Sequence, residues 1–386
     1  MGGTMNRGNL QTIFSNYIKK FELTTNDDHD ESYKWRIAYQ FPTLMDTDHP
    51  DFAERMKQAW KLTENLIDSS NRYCFSALVS CAEKEPEEVR LLFKALFAED
   101  GGDLTARQQK IDQFIMDANA LILRLHSTNG MFMNDQRSAM GYLFLYNPDN
   151  HYLYKASEAN SFASCVEFYD DWGSGTDFKL DTYYKMCDFL VEEIRNSPNL
   201  IDTNNSRFFD RDEQRIEGMH PDSNYHILAF DIIYGAPEFR YNFYDGIPFT
   251  KINAPARKLH EEREKKAKEL LLVLQKAQAK ADLLDEAKAY FAKYVTVGLP
   301  VKSRMFGDGT VTEISSTSYI VSFPAKNETK KLAIMRAFTD KNLTAEIPEL
   351  TERIALYQEV VRNEALIPRA LESAEKAFEP YRKYLE

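Results

Sequence analysis

At 386 residues the chain is longer than one ordinary core accommodates, and its 43% hydrophobic and 13% aromatic content is enough to pack two or three domains. Sixty acidic against 48 basic residues leave a net charge of -12, which excludes indiscriminate attachment to DNA, RNA or anionic lipid through the whole surface. Four cysteines, at positions 74, 81, 165 and 187, form no CxxC pair and no dense framework, so reduced, buried thiols are expected.

Residues 11–39 read as a helix, a polar turn and a second helical start. Phe14, Tyr17, Ile18 and Phe21 fall at helical spacing, and the polar run from Asn26 to Asp30, with His29 among aspartates, reads as a solvated turn rather than a metal site. Residues 51–67 form an amphipathic helix presenting Phe52, Met56, Trp60 and Leu66. Pro86, Glu87 and Glu88 then open another, since proline and acids suit a first turn whose amides lack acceptors.

Residues 106–125 carry a wide apolar stripe, 137–146 form a short apolar helix stopped by Asn147 and Pro148, and 182–196 supply one more helix. Residues 210–222 are polar and loop-like. The dense apolar run 225–234 is either a short helix or a buried strand, because periodicity alone does not separate the two.

Residues 256–294 are rich in Ala, Lys, Glu and Leu without Gly or Pro, which predicts a long helix. Leu270, Leu274, Ala277, Ala281 and Leu284 alternate spacings of four and three, the seam of a coiled-coil partner. That partner is found in Leu350, Ile354, Tyr357 and Val361, then Leu371, Ala374, Phe378, Tyr381 and Leu385. The result is an antiparallel hairpin kinked or broken near Pro368. Between its arms, residues 297–343 hold short β-type runs separated by turns, the pattern of a small barrel.

The fold class is therefore mainly α with a small five-stranded β-barrel. The predicted organisation is a helical N-terminal domain (5–205), a connecting segment packed on it (206–253), a helical hairpin (254–296 and 347–386) and a barrel at the hairpin tip (297–346). No run approaches the ~20 apolar residues of a membrane span, and the N-terminus lacks a secretory pattern, so a cytoplasmic protein with no membrane partner is expected.

Gly298, Pro300 and Val301, then Phe306, Gly307, Asp308, Gly309 and Val311, then Tyr319, Ile320, Val321 and Phe323, with Lys330, Lys331, Ala337 and Phe338, resemble the Tudor-like small barrels appended to UvrD-type helicases. Tyr33, Lys34, Trp35, Asp51, Phe52, Asn65, Leu66, Asp135, Gln136, Arg137, Tyr142, Leu143, Phe144, Asn147, Pro148, Asp149, Tyr152 to Lys155 and His226 to Tyr234, within residues 9–234, resemble the helical region that precedes the nucleotide-hydrolysing domain of McrB-type AAA+ restriction proteins. The chain departs from that pattern in having no GxxxxGK[ST] phosphate loop, so it is not the motor. The resemblance implies a recognition or adaptor part of a restriction-like phage-defence system, working with a separately encoded ATPase or nuclease.

Three groups of residues are candidates for chemistry. His220, Asp222 and His226, with Asp231, are the metal-dependent hydrolase alternative, although their spacing fits no metal motif and a packed His226 with a hydrogen-bonded Asp231 is the favoured reading. Arg137, Tyr152, Tyr154 and Lys155 are the ligand-facing set, cations beside tyrosines being suited to a phosphate or a base, with Trp172, Gly173 and Gly175 in a loop nearby. Arg257, Lys258, Arg263, Lys265, Lys266 and Lys268 crowd the start of the long helix. With Lys326, Lys330, Lys331 and Arg336 of the barrel they would form a basic strip for DNA or RNA backbone. No catalytic residue, metal or cofactor is assigned. The third alternative is a scaffold whose hairpin pairs with a second copy.

Overall fold

The computed structural model describes residues 5–25, 30–63, 66–69, 71–126, 130–237 and 241–385; His29 with Asp27 and Asp28, and Asn65, lie outside them. The chain divides into two compact units, Met1–Arg257 and Lys258–Glu386.

The first unit is helical. In chain order it holds α1 (Arg7–Lys20), α2 (Tyr33–Leu44), α3 (Phe52–Thr63), α4 (Cys74–Ala82), α5 (Pro86–Phe97), α6 (Leu104–Leu125), α7 (Gln136–Tyr146), α8 (Ala156–Cys165), α9 (Leu180–Arg195), α10 (Pro198–Asn205) and α11 (His226–Gly235). Several starts carry their cap in the sequence. The Asp103 carboxylate accepts from the amides of Thr105 and Ala106 at 2.8 and 3.3 Å, and Asp135 and Ser138 exchange bonds in a capping box at α7. Pro86 opens α5 with Glu87 and Glu88 in its first turn, as expected.

Residues 225–234 resolve as helix. Every residue of α11 except Tyr234 is buried, so its apolar pattern has no period because it has no wet face. Helices α4, α8 and α10 were not expected, for related reasons. Helix α4 buries all but Ser76 and Ser80, α8 is built mostly of small and polar residues, and α10 is about two polar turns opened by Pro198. An aromatic cluster fills the centre, with the ring of Tyr142 lying 5.0, 5.2 and 5.7 Å from those of Phe75, Phe93 and Phe114.

The second unit is a hairpin and a sheet sharing one core. Helix α12 (Ala254–Tyr294) is followed by β1 (Pro300–Ser303), β2 (Gly307–Ile314), β3 (Ser318–Phe323), β4 (Glu328–Ala333), α13 (Arg336–Thr339), β5 (Leu343–Thr344), α14 (Leu350–Arg362) and α15 (Ile367–Phe378). The strands form one antiparallel sheet in the order β4-β3-β2-β1-β5, which curls into a half-barrel with β4 and β5 as its edges. A register shift between Val311 and Glu313 bends β2. Gly309 permits the curl, since a Cβ there would lie 2.7 Å from the ring of Phe323 and 2.8 Å from the carbonyl oxygen of Ser322.

The hairpin is antiparallel and broken before Pro368, as the heptad-like spacing predicted. Lys280 pairs with Glu359 at 2.7 Å and Tyr357 donates to Glu286 at 2.8 Å, while Arg263, nearer the start of α12, donates to Tyr384 at 2.6 Å. Leu284, Ala287 and Phe291 of α12 are buried with Val301, Val311, Phe338 and Tyr357.

Candidate functional site

One connected network of buried charge in the first unit joins α2, α11 and the residue Arg207. Lys34 of α2 has no exposed side-chain surface and is held by Asp231 of α11 and, at 2.8 Å, by Glu31. Arg207, also fully buried, reaches the other Asp231 oxygen at 3.4 Å, the Tyr17 hydroxyl at 2.7 Å and Asn204 at 2.9 Å, and lies 3.9 Å over the Trp35 ring. Burial pushes the Lys34 ammonium towards neutrality, but Asp231 and Glu31 outweigh it and hold its pKa above the usual lysine value. Asp231 was expected to be hydrogen-bonded; its partners were not foreseen. The signal was present, since Lys34 shares a helical face with Ala38 and Phe41, both fully buried.

Beside this network lies a pocket of about 470 Å³ lined by Arg72, Asp135, Gln136, Arg137, Tyr154, Lys155, Ser157, Glu158, Ser174, Gly175 and Phe178 among others. Its walls come from the capped start of α7, the start of α8 and the turn 172–178. Lys155, the N-cap residue of α8, makes no side-chain cap bond to that helix. The turn is fastened by the Gln136 side chain donating to the Gly175 carbonyl at 2.8 Å and by the Lys179 amide donating to the Trp172 carbonyl at 2.7 Å. Gly173 is required there: its φ is +67°, and a Cβ would fall 2.3 Å from the Asp177 carbonyl oxygen.

Three of the four residues in the expected ligand-facing set line this pocket: Arg137, Tyr154 and Lys155. Arg137 approaches the Cys74 sulfur at 3.9 Å, and Arg72, which sequence reasoning missed, stands 3.8 Å from Asp135. Arg72 sits in an aperiodic loop and gave no sequence signal. Lys155 makes no ion pair among the described residues; its ammonium lies 4.5 Å over the Tyr234 ring. Burial lowers its pKa to about 8, Glu158 opposing and the cations Lys34 and Arg137 adding to the fall.

Tyr152 is a correction. It is buried away from the pocket, donating to Asp188 at 2.7 Å with its ring 4.0 Å from that of His226, because a buried phenol needs an acceptor and the core offers this one. Trp172 is likewise a core residue, 1% exposed, and donates to the Tyr154 hydroxyl at 3.3 Å; only the turn after it reaches the pocket.

His220, Asp222 and His226 do not converge on one point. The Asp222 carboxylate caps α11, accepting from the amides of Ile227 and Leu228 at 2.9 Å each, and burial pushes its pKa up to about 7. His220 accepts from the Asp222 amide at 3.0 Å and faces Asp149 at 3.7 Å, while the His226 ring bonds the His151 carbonyl at 3.1 Å. Burial lowers the pKa of both histidines. The geometry is that of a packed loop and helix cap, and the described residues contain no group of three or more His, Cys, Asp or Glu placed to hold a metal.

All four cysteines are buried and free, and burial raises each thiol, that of Cys74 to about 12. None is an activated nucleophile.

The basic strip is not continuous. Arg263, Lys265, Lys266 and Lys268 lie near the start of α12, while Lys330, Lys331 and Arg336 belong to the sheet region beyond its far end, roughly 40 Å away along the helix at its ordinary rise per residue. Most of these cations are engaged locally. Lys268 pairs with Glu264 at 2.5 Å, Lys266 with Glu269 at 3.6 Å and Lys330 with Glu328 at 2.7 Å, and Arg336 donates to the carbonyl of Arg362 at 3.1 Å. Lys326 donates to the Met305 carbonyl at 2.6 Å, and Arg257, in the first unit, pairs with Asp171 at 3.3 Å. Lys265 and Lys331 make no ion pair among the described residues. Lys330 and Lys331 lie on the edge strand β4, where lysines discourage pairing with a foreign strand.

Comparison of the chain with protein-family models, with curated proteins and with solved structures found no match. No helix among the described residues is long and apolar enough to cross a membrane.

Proposed function

We propose that the chain is a non-enzymatic recognition component, an adaptor that binds a phosphate-bearing ligand, DNA or RNA, through the pocket of its helical unit. The observation that carries this is the convergence of Arg72, Arg137 and Lys155 on one 470 Å³ pocket in a chain whose net charge is -12. Two guanidinium forks and an ammonium offer charge-assisted donors to phosphate oxygens, and Tyr154 and Phe178 offer apolar surface to a base or sugar. Asp135 and Glu158 oppose the cations only in part. Assignment to a restriction-like defence system, with a separately encoded ATPase or nuclease as partner, rests on the likeness to McrB-type proteins alone.

The test is fluorescence anisotropy with labelled single-stranded and duplex oligonucleotides over a series of salt concentrations. Replacing Arg137 and Lys155 together by alanine should weaken binding about tenfold or more and flatten the salt dependence by about two phosphate contacts. Affinity unchanged in a variant that melts like its parent removes the pocket from the interaction. A parallel charge reversal at Lys265 and Lys331 asks whether the unpaired cations of the second unit add a further contact.

A further inference from the structure

Residues 270–274 of α12 read Leu-Leu-Leu-Val-Leu, and five consecutive apolar residues clothe a helix on every side. Leu270 and Leu274 turn into the hairpin seam, partly covered, but Leu272 and Val273 stand 52% and 53% exposed on the outer face. Leu366, at the break between α14 and α15, is 60% exposed.

The charges around Leu272 and Val273 indicate what covers them. At helical spacing Glu269, Leu272, Val273 and Lys276 share one face, with opposite charges equidistant from the midpoint between Leu272 and Val273. We propose that this face of α12 pairs antiparallel with the same face of a second copy of the chain, about a two-fold axis between Leu272 and Val273. Leu272 packs on Val273 of the partner subunit, and Glu269 meets Lys276 of the partner subunit twice, once on each side of the axis. Within one chain Lys276 makes no ion pair among the described residues, and Glu269 has only Lys266 at 3.6 Å. One level further out, Lys265 faces Lys280 of the partner subunit; this like-charged contact is relieved because Lys280 is bound to Glu359 at 2.7 Å. The inference is independent of the pocket. The contact is short, so association is weak and reversible.

Sedimentation velocity of the full chain over a concentration series tests it. Leu272→Lys should abolish association, and Glu269→Lys or Lys276→Glu alone should weaken it about tenfold, because each single change turns two attractive pairs repulsive. The double variant E269K with K276E should recover parental association, since the swapped charges face each other again. Glu269 and Lys276 are two turns apart on one helix and do not touch within a chain, so recovery requires a second copy. A parent that stays monomeric at every concentration, or a double variant no stronger than the singles, overturns the proposal. All these positions are exposed, and unchanged melting temperatures show that the fold is intact.

Discussion

Asp222 shows how much one residue's surroundings decide. Its carboxylate is 3% exposed and closes the first turn of α11 by accepting two amides, yet burial outweighs those bonds and raises its pKa to about 7. The folded protein then takes up a proton as pH falls through 7, which the unfolded chain, at the ordinary carboxylate value, does not do until near 4. Asp222 therefore favours the fold increasingly from pH 7 down to about 4, and this gain is absent above 7. His151 acts in the opposite sense. Burial, helped by Arg107, lowers it to about 3, so between pH 6.5 and 3 only the unfolded chain gains its proton and stability falls with pH. At pH 5 the Asp222 gain is worth about 3 kcal/mol and the His151 loss about 2 kcal/mol, and they oppose. Asp222→Asn removes the gain and leaves the loss, so the variant should lose about 3 kcal/mol more than the parent between pH 8 and 5. Urea midpoints across that window measure it. Parallel pH profiles for the two proteins would mean that Asp222 is ionised in the native state throughout.

At the scale of elements, the sequence is most legible where one face is wet. The 3.6-residue stripes of α1, α3, α6 and α9, the proline-and-acid start of α5 and the four-three alternation of α12 all report a boundary between core and water. Where that boundary vanishes the pattern vanishes with it, which is why α4 was missed and α11 stayed ambiguous between helix and strand. The candidate site was half legible for a similar reason. Arg137 and Lys155 stood out as cations beside tyrosines, but nothing local distinguishes Tyr154, which lines the pocket, from Tyr152, whose hydroxyl is claimed by Asp188 from a distant helix. In the half-barrel the decisive element is a contact across strands. Gly309 of β2 passes so close to Phe323 and Ser322 of β3 that a methyl group there has no room against the carbonyl. Gly309→Ala should destabilise the second unit by about 1–3 kcal/mol, read as a lower urea midpoint, whereas alanine at Gly246, with open space around its Cβ position, meets only the cost of its positive φ. Equal stability of Gly309→Ala and the parent would contradict the register between β2 and β3.

At the scale of the whole molecule, two hydrophobic cores form separately. The buried cluster of the first unit draws on residues between Met5 and Ile247, and that of the second on residues between Leu284 and Ile367, with no member in common. The second core is assembled from both arms of the hairpin and from the sheet together. The Phe291 ring lies 5.8 Å from that of Phe338 and 6.4 Å from that of Tyr357, so α12, α13 and α14 meet at one side chain. Neither the hairpin nor the sheet buries an apolar face alone, and the pair satisfies the requirement that a domain own its core. A fragment spanning residues 258–386 should therefore fold without the rest of the chain, showing helical far-UV circular dichroism and a cooperative thermal transition. Phe291→Ala in that fragment should cost about 3–5 kcal/mol, enough to remove most of the stability expected of a domain this size. A fragment that melts without cooperativity would show that its core depends on residues before 258. A cooperative fragment indifferent to Phe291→Ala would place the junction of hairpin and sheet elsewhere.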